Sequence, residues 1–470
     1  MTDQKCQDGI HRSIAARLDR RRQNSTLRTL STNPSTSVDF SSNDFLSLAK
    51  SPALRKRFLC ELERHGSDFD MGSGGSRLLD GNSRYAEELE EEIAAFHGAP
   101  AGLLCNSGFD ANVGLFSCIP QPRDVIVYDE YIHASVHDGM KHTRAAQCLP
   151  FAHNSISALR TVLRDLQATL PTLRDGTSNV FIAVESVYSM DGDVAPLTDI
   201  VNIANHIFPQ RNAHIIVDEA HSTGVFGPRG RGLVCELGLE DRVFARLHTF
   251  GKALACNGAI ILCSELVRHY LVNYARSLIY TTFMSFPCLA AIRASYSLLQ
   301  DGSTETLARN LQDLIRSCHA QLRSLEAAHQ ARCQSTKTFS AQKLLRVATE
   351  QPISPIFSVQ TSEPRNLAKY CQEGGFVVRA IVPPTVPAGS ERIRRLLRLW
   401  QGLRAGWDRE WKYTSRQAES GQDYKRCTVR LEHDKFAVQH ILSVLKVNFG
   451  WDCYEEDGLQ GVGSKMYMLA

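Results

Sequence analysis

The stretch HIIVDEAHSTGVFGPRGRGLVCELGLEDRVFARLHTFGKA, residues 214–253, decides the fold of this 470-residue chain. Its β-branched run at 215–217 predicts a short buried strand, because apolar runs of this kind fill the core of a sheet. The run ends in Asp218, His221 follows, and Lys252 comes near the end of the stretch after a glycine-rich passage. An acid, a histidine and a lysine placed beyond one buried strand indicate a chemical site as well as a core element.

Two earlier strands end in the same manner. Apolar runs at 125–128 and 180–184 each lead into polar residues, and helical stretches such as 156–170 separate the strands. This repetition of strand, polar residue and helix is typical of a mostly parallel α/β sheet. Ligands bind at the carboxyl ends of the strands in such sheets, whereas any one polar residue there is as readily explained as a helix cap. The side chains predicted to converge at that edge are His133, Glu185, Asp218 and His221.

A lysine at this edge is suited to pyridoxal phosphate (PLP), whose aldehyde it binds covalently. The cofactor also needs a carboxylate opposite its pyridine nitrogen and hydrogen-bond donors for its phosphate. Lys252 and Asp218 supply the first two. The strand-to-helix turn at 106–109 and Thr249 are suited to the phosphate, although the turn is equally suited to an ordinary helix cap. The segment around Lys252 is not a P-loop, and the chain has no GxSxG nucleophile elbow.

Composition narrows the class of protein. Hydrophobic residues make up 43% and charged residues 22%, and a formal net charge of +3 is too small to indicate a nucleic-acid partner. The 14 cysteines show neither a CxxC pair nor metal-ligand spacing, which predicts buried thiols in a reducing compartment and no metal site. The polar N-terminus and the lack of a long apolar run predict no secretory signal and no integral membrane segment. We expect a cytoplasmic protein, with a peroxisomal one as the alternative, although the chain does not end in Ser-Lys-Leu.

Four motifs together resemble the α-oxoamine synthases, PLP enzymes that condense an amino acid with an acyl thioester and release CO2. The motifs are GSGGSRLLDGNS (72–83), VDEAHSTGVFGPRGRG (217–232), HTFGKAL (248–254) and PPTVPAGSERIR (383–394). The likeness extends over the chain from the N-terminal helix to the last of these motifs. It implies a fold-type-I PLP-dependent transferase, with a central, mostly parallel sheet flanked by helices and a small α+β C-terminal domain.

The resemblance implies a role for each matching residue. Lys252 would bind the cofactor and take the Cα proton of the amino acid, Asp218 would pair with the pyridine nitrogen, and His133 would stack on the ring and assist the loss of CO2. His221 and Ser189 would donate near the phenolic oxygen. Gly108, Phe109 and Thr249 would bind the phosphate, and Glu185 would lie near the site. The phosphate of the neighbouring subunit would be contacted by Tyr280, Thr281 and Thr282. The substrates would be bound by Arg28, Thr385 and Arg394.

Within the family, the 72–83 loop and the run VRAIVPPTVPAG at 378–389 most resemble the members that join L-alanine to a pimeloyl thioester in biotin biosynthesis. The expected substrates are therefore L-alanine and an acyl-CoA, bound by a homodimer with shared active sites. Two alternatives stay open. One is a relative that uses another amino acid or acyl-CoA in a secondary pathway, since one methylene changes binding by only about 1–3 kcal/mol. The other is a non-catalytic family member that acts as a subunit.

The predicted domains are an N-terminal helix and linker at 1–50, a large PLP-binding α/β domain at 51–290 and a small C-terminal domain at 291–470. The family pattern breaks after Arg394, where residues 395–426 replace the expected continuation of a strand. We interpret 395–426 as an insertion, such as an unspliced segment. Its Trp and Leu spacing also suits an amphipathic helix that docks on a partner or a membrane surface, although such a stripe is more often packed in a core.

Overall fold

The computed structural model describes residues 9–396, except Ser25, Ser31, 34–36, 67–68, 336–345, Ser362, Pro384 and Ala388. The chain divides into two compact units after Ser37. The described part of the first unit contains helix α1 (Gly9–Gln23), which has no buried residue. The second unit contains the sheets and the other helices described below.

The elements of the second unit alternate along most of the chain. Its strands are β1 (Val38–Asp39), β2 (Ala101–Cys105), β3 (Val125–Asp129), β4 (Gln147–Phe151), β5 (Val180–Glu185), β6 (Ala213–Asp218), β7 (Ala245–Thr249), β8 (Ala259–Cys263), β9 (Ile356–Gln360), β10 (Phe376–Val377), β11 (Arg379–Ile381) and β12 (Arg392–Leu396). Its helices are α2 (Pro52–His65), α3 (Arg84–His97), α4 (Gly108–Cys118), α5 (Ala134–Lys141), α6 (Ile156–Thr169), α7 (Pro171–Arg174), α8 (Leu197–Ile207), α9 (Leu233–Glu236), α10 (Glu265–Tyr274), α11 (Arg276–Ile279), α12 (Phe286–Gln300), α13 (Glu305–Ser335) and α14 (Pro364–Glu373).

Seven strands form the main sheet in the order β2-β8-β7-β6-β5-β3-β4. The run from β7 to β4 pairs in parallel, whereas β8 is antiparallel to both of its neighbours. Every residue of β5 is buried, and so are the last four of β6, because helices cover both faces of the sheet. The predicted mostly parallel α/β sheet is therefore confirmed.

Helices start soon after the strands because serine side chains cap them. Ser107, Ser155 and Ser264 each accept a hydrogen bond from the backbone N–H three residues further on. Such a cap satisfies one of the unpaired N–H groups of the first helical turn and stabilises the helix by about 1 kcal/mol. Ser107 thereby places the start of α4 directly beyond the end of β2.

A smaller antiparallel sheet has the order β11-β12-β9, with Arg394 on its central strand opposite Ser358 and Arg379. The strand continues past Arg394, since Arg395 and Leu396 pair with β9. The first two residues of the predicted insertion are thus part of the strand, and the rest of 395–426 lies outside the described residues. The predicted domain boundaries near residues 50 and 290 stay predictions.

Two classes of feature are absent from the described part of the chain. No helix there is long and apolar enough to cross a bilayer. Nor do three or more His, Cys, Asp or Glu side chains within it group in a way that would hold a metal ion.

Candidate active site

Lys252 lies in the connection between β7 and β8, at the edge where the parallel strands end. Its Nζ is 3.0 Å from Nε2 of His221, which follows β6. Glu185 and Asp218, the last residues of β5 and β6, are partners in the register of these strands. The structure therefore brings together the acid, the histidine and the lysine of the opening stretch, with Glu185 beside them.

The Asp218 carboxylate is buried and held from two sides. Its Oδ2 accepts a hydrogen bond from Nδ2 of Asn112 at 2.8 Å, and its Oδ1 accepts from the N–H of Ala220 at 2.9 Å. Asn112, on α4, also donates to Oγ of Ser135 at 3.0 Å. The sequence analysis did not identify Asn112, whose only signal is its position one turn into the helix that follows the phosphate-suited turn.

His133 is joined to this acid through the same asparagine. Nδ1 of His133 lies 2.7 Å from Oγ of Ser135, the same hydroxyl oxygen that accepts the hydrogen bond from Asn112. This Nδ1 also accepts a hydrogen bond from the backbone N–H of Ser135 at 3.2 Å. Burial lowers the pKa of His133, although the Asp218 carboxylate acts in the opposite direction. His133 is therefore held as an acceptor at Nδ1, with Nε2 left to carry the proton of the neutral ring.

The lysine and its neighbours are electrostatically linked. Burial lowers the pKa of the Lys252 amine, while Asp218 and Glu185 act to raise it. Burial and then the Asp218 charge raise the pKa of Glu185, so this carboxyl holds a proton more readily than an exposed one. Burial and the Lys252 charge lower the pKa of His221. These shifts favour a neutral amine beside a neutral imidazole, which is the state that a nucleophile or a general base requires.

The start of α4 borders the same site. A Cβ atom built on Gly108 would lie 3.4 Å from Oγ1 of Thr249, so these two predicted phosphate residues adjoin each other. The N–H groups of Gly108 and Phe109 belong to the first helical turn, which has no backbone acceptors of its own. An anion is favoured at such a helix start.

Arg394 enters the site from the smaller sheet. Its guanidinium is largely buried, and its Nη2 donates to Oδ1 of Asn43 at 2.9 Å. Burial lowers the pKa of Arg394 to about 10, although Glu185 acts to raise it. Its charge in turn lowers the pKa values of Lys252 and His221. Asn43 was not identified from the sequence.

The other site residues predicted from the sequence lie on several separate segments of the chain. Tyr280 is 71% exposed, and the Thr282 carbonyl accepts from Nδ2 of Asn106 at 2.7 Å, so this segment lies beside the phosphate-suited turn. Thr281 is partly exposed there. Ser189 is half-buried in the turn after β5, and Thr385 is exposed in the loop before β12. Arg28 is exposed in the first unit.

The donor set fits PLP. It combines an amine, a buried carboxylate and a helix start with a threonine hydroxyl. His221 adds a buried Nδ1 that has no hydrogen-bond partner within the described residues. Because Nε2 of His221 faces the lysine, Nδ1 is free to donate to an oxygen of a bound group.

A second polar cluster adjoins the site. Nδ1 of His153 lies 2.8 Å from Oδ1 of Asp129 at the end of β3, and its Nε2 is paired with Asp193. Burial opposes the charge on this ring, but the two carboxylates outweigh it and raise the pKa of His153 to about 10. Tyr131 stacks on the ring with 4.4 Å between the ring centres, and Tyr188 meets it edge-on.

This cluster predicts a pH-dependent stability. The unfolded pKa of histidine is about 6.5, so the stabilisation by protonated His153 is fully present below that pH and is lost as the pH rises towards 10. We expect His153→Gln to lower Tm at pH 6.5 and to differ much less from the original protein near pH 10. Thermal unfolding across this range measures the effect, and His206→Gln, at an exposed position on α8, is the control. A Tm difference that stays constant with pH would contradict the assigned charge.

Comparisons with known proteins agree with the fold and the cofactor inferred from this site. Residues 35–395 match the family aminotransferase class I and II. The chain is similar to 8-amino-7-oxononanoate synthase of Emericella nidulans, at 56% identity over 382 residues that cover 81% of this chain and 90% of that protein. It is also similar to aminoacyl transferase sphA of Byssochlamys spectabilis, at 45% identity over 310 residues, 65% of this chain and 66% of that protein.

A solved structure of SPT with PLP shows the same fold. It covers 93% of this chain and 100% of its own, with a TM-score of 0.69 and 22% sequence identity. At that identity the likeness supports the predicted fold class and leaves the substrates to other evidence.

Proposed function

Because the chain belongs to the aminotransferase class I and II family, and within it to the PLP-dependent α-oxoamine synthases, we propose that it condenses L-alanine with pimeloyl-CoA. The products are 8-amino-7-oxononanoate, CoA and CO2, as in biotin biosynthesis. The observation that carries the proposal is the meeting of Lys252 and Asp218 at the carboxyl ends of the parallel strands, with the guanidinium of Arg394 acting on the pKa of Lys252 from the smaller sheet. The 56% identity to a synthase of this name supports the choice of substrates.

Each group of the site has a proposed task. PLP supplies an electron sink for the negative charge that develops at the amino-acid Cα. Asp218 would face the pyridine nitrogen, while Gly108, Phe109 and Thr249 would hold the phosphate. The free amine of Lys252 would take the Cα proton, and its lowered pKa keeps more of it neutral for that step.

The remaining side chains orient the substrates. Arg394 would bind the amino-acid carboxylate through two parallel N–H donors, a geometry that guanidinium provides and ammonium does not. His133 would lie against the ring and assist the loss of CO2, while His221 and Ser189 would donate to the phenolic oxygen. The family resemblance assigns Arg28 to the acyl substrate and Thr385 to a further substrate contact. Glu185 would support Asp218 from the neighbouring strand.

A condensation assay tests the substrates directly. L-alanine, glycine and L-serine are each offered with pimeloyl-CoA and with longer acyl-CoAs, and the release of CoA and CO2 is measured. Alanine with pimeloyl-CoA is expected to give the highest kcat/KM. If another pair is preferred, the chain is a family member with different substrates, the alternative that the 45% identity to aminoacyl transferase sphA favours.

We also propose that the enzyme is a homodimer with shared active sites. Four large apolar side chains are exposed on neighbouring segments, Met71 to 70%, Leu79 to 78%, Phe109 to 45% and Tyr280 to 71%. The loop at 72–83 contacts Phe283, and the turn at 106–109 contacts Thr282, so these segments adjoin one another. Exposed apolar patches of this kind mark interaction sites. A second copy would cover the patch and bring Tyr280, Thr281 and Thr282 to the partner's phosphate.

Substitution in this patch is expected to separate the subunits. Leu79→Arg places a charge in the proposed interface, so we expect a monomer in sedimentation analysis and a loss of activity of about tenfold or more. Leu266→Arg is the matched control, because Leu266 is also 78% exposed but follows the antiparallel strand β8 at the opposite edge of the sheet. A Leu79→Arg protein that stayed dimeric and active would rule out this interface.

A further inference from the structure

A tight turn follows β5 beside the candidate site. Val187 and Val194 form an antiparallel bridge across it. The Tyr188 N–H donates to the Asp193 carbonyl at 3.0 Å, and the Gly192 N–H donates to the Tyr188 carbonyl at 2.9 Å, so the backbone closes on itself. We call residues 187–194 the clamp turn.

The clamp turn is fastened to the main sheet through Asp193. This carboxylate pairs with His153 and accepts from Nδ2 of Asn154 at 2.6 Å. His153 is in turn bonded to Asp129 at the end of β3. One side of the turn is therefore fixed to the strand ends that surround the candidate cofactor site.

The other side of the clamp turn is pressed against the smaller sheet. The Gly192 carbonyl accepts from Oγ of Ser354 at 2.6 Å. Gly192 has a φ of 76°, and a Cβ atom there would lie 2.2 Å from the Ile356 carbonyl oxygen. Glycine is required at this position because any other residue would force the turn away from β9.

An ion pair completes the contact. The Asp191 carboxylate pairs with the guanidinium of Arg392, whose side chain is only 4% exposed, and Nε of Arg392 donates to the Ser390 carbonyl at 2.8 Å. Arg392 lies on β12 two residues before Arg394. Alternate residues of a strand point to the same face, so Arg392 and Arg394 project towards the same side of the smaller sheet.

We propose that the clamp turn, through the Asp191–Arg392 ion pair, positions Arg394 for the carboxylate of the amino-acid substrate. The inference rests on the proposed function for its substrate class, an α-amino acid. A guanidinium binds a carboxylate through two donors only in a narrow range of orientations, and a misplacement of about 1 Å costs much of that binding. Asp191 is thus a positioning residue, which acts through Arg392 and β12 without touching the substrate.

The experiment compares amino-acid affinity in Asp191→Asn with that of the original enzyme. The holoenzyme is titrated with L-alanine, and the change in absorbance of its bound PLP gives Kd without turnover. We expect Kd and the KM for alanine to rise about tenfold, while kcat and the KM for the acyl-CoA change less than about threefold. Asp191→Glu keeps the charge and is expected to restore most of the affinity.

The control is Glu373→Gln, which removes an exposed ion pair with Lys369 on α14 and is expected to leave alanine affinity unchanged. Unchanged Kd in Asp191→Asn would overturn the inference. A loss of fold, of the PLP absorbance or of both substrate affinities together would also overturn it, because a purely structural role would have that effect. The proposed function fails separately, if the original enzyme binds alanine but forms no product with pimeloyl-CoA.

Discussion

Lys252→Ala is expected to lower kcat/KM for the condensation by at least about 10³-fold, because one substitution removes both the covalent attachment of PLP and the base for the Cα proton. The absorbance of the bound cofactor is expected to shift or disappear. Stability is expected to change little, since burial already disfavours the charged form of this amine. Activity, the absorbance spectrum and Tm measured on one preparation separate these effects.

The control for this prediction is Lys141→Ala. Lys141 is an exposed lysine at the end of α5 that pairs with Asp138. It is expected to retain full activity and an unchanged spectrum. If Lys252→Ala had a kcat/KM close to that of the control, Lys252 would not be catalytic, and the alternative of a non-catalytic family member would be favoured.

The strands that could be predicted from the sequence are those whose burial requires a continuous run of apolar residues. β5 and β6 are continuous apolar runs because helices cover both faces of the sheet. β7 was not predicted, since it reads ARLHT and contains Arg246 and His248, both buried. Arg246 donates to the His97 carbonyl from 149 residues away, a partner that no local pattern reveals. β4 was missed as well, because Pro150 lies within it and Phe151 is its one buried residue.

The residues of the candidate site also divide into those that could be predicted from the sequence and those that could not. Asp218 and His221 could be found because they end or follow an apolar strand, and Lys252 because it belongs to a motif with a family resemblance. Asn43 and Asn112 could not be found in that way, since both act through hydrogen bonds to distant segments. Asn43 meets Arg394 across 351 residues. A single polar residue of this kind has no periodicity or spacing to distinguish it from a surface asparagine.

The surroundings of Asp218 determine what its replacement would do. Both carboxylate oxygens accept N–H donors, from Asn112 and from Ala220. An asparagine at this position would turn an N–H towards one of those donors, so one hydrogen bond would be lost along with the charge. The charge of Asp218 also raises the pKa values of Glu185 and Lys252, so its removal would let both fall.

Asp218→Asn is therefore expected to lower kcat by about 10²–10³-fold, the cost of removing one aligned electrostatic contact from an enclosed site. PLP is expected to remain bound through Lys252, so its absorbance should persist. The absorbance therefore distinguishes a weakened electron sink from a loss of cofactor. Asp165→Asn, at an exposed position on α6, is the control and should be fully active. Asn112→Ala, which removes one donor but keeps the charge, should fall between the two. If Asp218→Asn kept normal kcat with its cofactor bound, Asp218 would not be the group opposite the pyridine nitrogen. Glu185 on the neighbouring strand would then be the next candidate for that role.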